Sequence, residues 1–184
     1  QVNVGAFSSE SFALKKVDLH GNVANNMIVY NLSSIDDQDE TQFLIAGNAK
    51  SINDLTEISL DQNGLRLNYD DWTVDPNNRL QISKRGIFAD NFRLSNQGSE
   101  IVLQSEGSTP GSPLNVTLKD FKIQQLTEMI KKDSLLAEGT INGTAQLRNL
   151  TKNMTFTSDL IVSDLKVYGS PVGNMAIQVN SQTA

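Results

Sequence analysis

Residues 139–169 read GTINGTAQLRNLTKNMTFTSDLIVSDLKVYG. Every second residue from Ile141 gives Ile141, Gly143, Ala145 and Leu147; the same step from Met154 gives Met154, Phe156, Ser158, Leu160 and Val162. The residues between them are mostly Thr, Asn, Gln, Arg, Asp and Ser. A period of two places alternate side chains on opposite faces of a strand, so each segment has one apolar and one wet face. What the apolar face touches is the question that decides function: another layer of protein, or something that is not protein.

The same alternation runs outward through the chain. It predicts strands over 11–14, 17–23, 27–32, 42–46, 57–60, 65–69, 72–74, 80–83, 86–90, 91–94, 101–104 and 114–119. Further strands are expected over 138–147, 154–163, 165–168 and 175–180. Turn chemistry separates them at Gln62-Asn63-Gly64, Pro76-Asn77-Asn78, Asn96-Gln97-Gly98 and Gly169-Ser170-Pro171. Asn63-Gly64, between ISL and LRL, is a hairpin signal because both residues tolerate positive φ. One segment breaks the pattern. In DFKIQQLTEMIKK, residues 120–132, apolar residues fall at Ile123, Leu126, Met129 and Ile130. That is helical spacing, with Asp120 as N-cap and Lys131-Lys132 at the negative end of the dipole. The fold expected is all-β with one short helix near 121–132. GSTPGSP, residues 107–113, is the best internal boundary, but strands resume at once with LNVTL, so residues 1–184 read as one unit. The opening VNVGAF is itself strand-like, and the chain reads as a fragment of a larger protein.

Composition limits the functions. Hydrophobic residues make up 38% of the 184, which is low for a globular chain and suits an elongated architecture with a thin core. The net charge is −6 and no run of basic residues exceeds two, so nucleic acid is excluded as a partner on electrostatic grounds. There is no cysteine, hence no disulfide and no thiolate chemistry.

Catalytic constellations are missing. The single histidine, His20, lies in VDLHGNV near Asp18, but no nucleophile-elbow glycine pattern accompanies it. One histidine and no cysteine cannot build a zinc site. Asp36-Asp37-Gln38-Asp39-Glu40 lacks the glycine of a calcium loop and reads as a solvated turn. Asp70-Asp71 would point its carboxylates to opposite faces, which is poor geometry for paired acid–base work. Trp72, with Tyr69 nearby, reads as a buried anchor rather than a sugar platform. Asn31, Asn115, Asn142, Asn149 and Asn153 form Asn-x-Ser/Thr triplets, expected by composition in an Asn- and Thr-rich β protein. No catalytic residue, cofactor or metal is expected.

Two stretches then carry a resemblance. PLNVTLKDFKIQQLTEMIKKDSLLAEGTINGTAQLRNL followed by MTFTSDLIVSDLKVYGSPVGN resembles the TamB family, the translocation-and-assembly-module group of AsmA-like Gram-negative envelope proteins. The shared cadence is a strand, a short helix and a strand pair, with Gly139, Gly143, Leu147, Phe156, Leu160, Val162, Leu165, Val167 and Gly173 in its slots. DLTEISLDQNGLRLNYDDWTVDPNNRLQISKRGIFADNFRLSNQGSEIVLQSEG resembles the preceding repeat, so Asp54 to Asn174 is covered. Met154-Thr155 stands where the family usually has a proline. The resemblance implies a long antiparallel sheet folded lengthwise into an open trough, a β-taco, in the periplasm. It implies a parent anchored in the inner membrane, an outer-membrane barrel protein as partner, and a role in moving phospholipid during outer-membrane biogenesis.

On that reading Ile141, Ala145, Leu147, Phe156, Leu160, Val162, Met175, Ile177 and Val179 line a groove for acyl chains. Gly143 and Ser158 in the same rows would leave room for them. Alternation alone does not separate an open groove from a closed core, since both bury one face. The other reading is a β-sandwich module of a secreted or surface protein that binds protein or glycan.

Overall fold

The computed structural model describes residues 2–9, 12–125, 136–151 and 153–181, with side chains from Lys16 onward. The chain is all-β. The first five strands are β1 (Val2–Ser9), β2 (Phe12–Ala24), β3 (Met27–Ile35), β4 (Thr41–Ile52) and β5 (Leu55–Leu67). Five short ones follow: β6 (Asp70–Val74), β7 (Arg79–Ser83), β8 (Gly86–Asp90), β9 (Phe92–Asn96) and β10 (Ser99–Ser105). The last four are β11 (Leu114–Lys122), β12 (Ala137–Arg148), β13 (Thr155–Val167) and β14 (Ser170–Asn180). They form a single antiparallel sheet in the order β1-β2-β3-β4-β5-β6-β9-β10-β11-β12-β13-β14, with the β7–β8 hairpin branching from β5. β1 and β14 end the order and do not pair with each other, so the sheet is open, as expected of a trough.

The connections are mostly tight. Asn25-Asn26, Asn68-Tyr69, Gln97-Gly98 and Tyr168-Gly169 each have positive φ at both turn positions. This matches the right-handed twist of the flanking strands. Asn supplies the left-handed conformation because its short polar side chain tolerates it.

The sheet curls. Trp72 on β6 and Phe121 on β11 are three strand positions apart, about 14 Å in a flat sheet. Their ring centroids are 6.3 Å apart, tilted by 33°. Leu65, Trp72, Val74 and Phe121 form one buried cluster, joined by partly buried Ile45, Leu60, Leu94, Ile101, Leu118 and Ile141. A second cluster of Ala89, Phe92 and Leu114 sits beneath the β7–β8 hairpin. Ala89 N–H donates to Ser105 Oγ at 3.0 Å, fastening that hairpin over β10. The middle of the concave face is therefore filled by protein, and Trp72 is a buried anchor.

Three expectations are corrected. Asn63-Gly64 makes no hairpin. ISL and LRL both lie in β5 and both pair with β4, at Gly47↔Leu60 and Ile45↔Leu65, leaving residues 61–64 as a wide bulge. Gly64 is needed for close approach, since a Cβ there would lie 2.6 Å from Ala46 O. Asp120 is not an N-cap. β11 continues to Lys122, and Asp120 sits in a bulge at φ 46°, its N–H bonded to Asn142 Oδ1 at 2.8 Å. Burying Phe121 against Trp72 outweighs the capping preference of one Asp. Among the described residues helical backbone appears only at Gln124-Gln125, and the rest of the expected helix, 126–132, lies outside them. Third, Gly143 leaves no room for a ligand: a Cβ there would collide with Asp159 O and stand 2.9 Å from Leu160 Cα. The missing side chain lets β13 approach β12.

The strands on either side of 107–113 pair directly, from Ser105↔Leu114 to Glu100↔Lys119, so the ladder crosses that loop unbroken.

Candidate functional site

The nine residues expected to line a groove share one face, and the register aligns them with the central clusters. One row runs Met175↔Val162↔Ile141↔Phe121 across β14, β13, β12 and β11. The next runs Ile177↔Leu160↔Gly143↔Leu118 and continues through Ile101 and Leu94 to Val74. A third runs Val179↔Ser158↔Ala145↔Val116↔Leu103↔Phe92, and Phe156↔Leu147↔Leu114 closes the set. Cross-strand partners point to the same side of a sheet, so these rows form one continuous apolar surface.

Cover over that surface changes along the sheet. Ile141 packs against the Trp72 cluster and Leu147 against the Phe92 cluster. Ala145, Phe156, Leu160 and Ile177 are half-buried. Val162 is 2% exposed, whereas its neighbour Met175 is 41% and Val179 is 38% exposed. The interior of the β6–β11 region thus grades into an apolar surface that is uncovered by β14. The opposite face is polar over Thr157, Asp159, Gln178, Thr144, Gln146, Asn115 and Thr117, with Ile161 an apolar exception at 54% exposure.

Elsewhere the candidate chemistry dissolves into structure. His20 Nε2 lies 2.7 Å from Asp18 Oδ2 on an exposed strand, and the residue opposite it in the ladder is Asn31, not a nucleophile. Asp71 grips Arg66 with two bonds of 2.6 and 2.8 Å, and that hydrogen bond holds its carboxyl below the usual range. Asp36 Oδ1 accepts from Gln38 N–H and Glu40 N–H, both at 2.9 Å, which makes the acidic stretch a capped turn. No group of three or more metal-ligating side chains occurs among the described residues.

Sequence reasoning missed one contact. Tyr69 donates its hydroxyl to Asp36 Oδ2 at 2.7 Å, tying the β5–β6 turn to the β3–β4 loop. Burial, then this hydrogen bond and the surrounding acids, push the phenol up to about 12. The phenol is raised above its unfolded value near 10, so the folded state holds its proton more tightly. The stability it contributes is complete below pH about 10 and is lost as pH rises towards about 12. Tyr69→Phe is expected to lower stability by about 1 kcal/mol at neutral pH. It should also flatten the fall in urea midpoint over that alkaline window. Parallel curves for the two proteins would show that the contact does not form.

The chain matches no protein-family model, no curated protein and no solved structure.

Proposed function

We propose that this chain is a non-enzymatic segment of a TamB-like envelope protein whose inner face shelters phospholipid acyl chains. The carrying observation is the continuity of the apolar rows from the filled centre of the sheet to the exposed Met175 and Val179 on β14. A closed sandwich would cover those residues with a second sheet. Here the described strands belong to one open sheet.

The magnitudes favour a continuous track. A phospholipid carries on the order of 30 chain methylenes, each disfavoured in water by about 0.8 kcal/mol. A conduit must keep nearly all of them out of water along its length, and a single unpaired polar group on the track costs about 1–3 kcal/mol. In the three rows, Gly143 and Ser158 are the only residues of β12–β14 that are not hydrophobic side chains. Both are small. The periplasm, an inner-membrane-anchored parent and an outer-membrane barrel partner belong to the same proposal and rest on the family resemblance.

The test is phospholipid retained by the purified protein, with a charge introduced on the inner face at Ile177. A folded but lipid-depleted Ile177→Glu variant is the expected outcome.

A further inference from the structure

We infer that the Lys84-Arg85 turn is a headgroup site that binds the phosphate of an anionic phospholipid lying on the inner face. This inference rests on the acyl-chain reading above.

Lys84 and Arg85 form the exposed turn between β7 and β8, where Ser83 pairs with Gly86. Six other cationic side chains, Lys16, Arg66, Arg79, Arg93, Lys119 and Lys166, each stand against a carboxylate. Lys84 and Arg85 have no ion pair among the described residues. Lys50, Lys122 and Arg148 also stand without an ion pair among the described residues, but they are far apart in the sequence, whereas Lys84 and Arg85 are adjacent.

The turn faces a cleft of about 480 Å³ lined by Lys84, Arg85, Gly111, Asn149, Thr151 and Asn153. Among the described residues no carboxylate lines it, and every polar side chain of theirs in the wall can donate a hydrogen bond. The cleft on the other flank of the same turn includes Asp54, which opposes an anion. Arginine offers a planar fork to phosphate oxygens, lysine a compact charge, and the Asn and Thr groups fit phosphate ester or glycerol oxygens.

The turn is also held in place. Gly111 N–H donates to Ile87 O at 3.3 Å. The backbones meet so closely that a Cβ on Gly86 would lie 2.8 Å from Gly111 Cα. A fixed turn backbone leaves only side-chain freedom of the two cations to be lost on binding.

Apolar surface begins at the edge of this cleft. Leu150 packs with Leu147 against the Phe92 cluster, and Met154, next to Asn153, is 53% exposed. Met154 and Phe156 start the alternation that leads along the inner face of β13. A phosphate with chains attached meets both surfaces; a soluble phosphate uses only the first.

The experiment compares retention of dioleoylphosphatidylglycerol and dioleoylglycerol by the wild type and by Lys84→Gln/Arg85→Gln. Binding of sn-glycerol 3-phosphate, which has the anion and no chains, is measured alongside, and melting curves check that the variant is folded. Wild type is expected to retain the phospholipid about tenfold better than the diacylglycerol. The double variant should lose that preference and keep its diacylglycerol binding. Equal retention of both lipids, unchanged in the variant, overturns the headgroup site and leaves the acyl-chain reading standing. Retention of neither lipid ends both. Glycerol phosphate bound as tightly as the phospholipid makes this a site for soluble anions and overturns the lipid assignment.

Discussion

Val162→Glu is expected to destroy the cooperative fold, although its strand neighbour Ile161→Glu should change stability by no more than about half a kcal/mol. Val162 is 2% exposed and lies in the row that joins Ile141 and Phe121. A carboxylate there is sealed from water, with a residual penalty of several kcal/mol per ion, and the burial of valine, about 1.5–3 kcal/mol, is lost as well. Domains of this kind have only about 5–15 kcal/mol in total. Ile161, one residue earlier, points to the other face and is 54% exposed. Urea unfolding of the two variants measures the difference. Equal midpoints would mean that the inner face is already open to water at β13.

Trp72→Ala carries the second large effect, an expected loss of about 3–5 kcal/mol. Trp72 is 4% exposed and Phe121 is 3% exposed. Their contact joins β6 to β11 across the concave face, so the indole holds the curl of the sheet as well as filling its core. Truncation leaves a cavity on the concave face and removes the contact that holds β6 against β11. A loss below about 1 kcal/mol, by urea or thermal unfolding, would show that the curl is set elsewhere, for instance by the bulges at Asp120 and residues 61–64.

The strands were legible because period-two alternation runs from Val17 to Ser105 and resumes over 114–119 and 138–180, on either side of the helical spacing at 120–132. The apolar rows were legible for the same reason: once Ile141, Val162 and Met175 fall on the same parity, antiparallel register brings them together. Other features depend on tertiary contact and left no local signal. Asn63-Gly64 has hairpin chemistry, yet both flanking segments find partners on β4, so the dipeptide serves a bulge. Asp120 precedes helical spacing, yet Phe121 is drawn into the sheet by Trp72, 49 positions earlier in the chain. Gly143 looked like an open slot in an apolar row; its space is taken by the backbone of β13. The cover that the β7–β8 hairpin places on the Phe92 cluster could not be read from alternation, which is the same for a covered and an uncovered face. Alternation likewise gives no sign that Val162 is buried while Met175, its partner across the ladder, is exposed.

The central claim is that the uncovered part of this face, on β14, holds acyl chains. Its most direct test is the phospholipid carried by Ile177→Glu compared with Thr157→Glu, purified identically and read by native mass spectrometry. Ile177 is half-buried on the inner face, and Thr157 is exposed on the outer one. Both variants are expected to remain folded. The account predicts that Thr157→Glu keeps the phospholipid found on the wild type and that Ile177→Glu loses most of it. Phospholipid retained equally by both, or absent from the wild type, would contradict it.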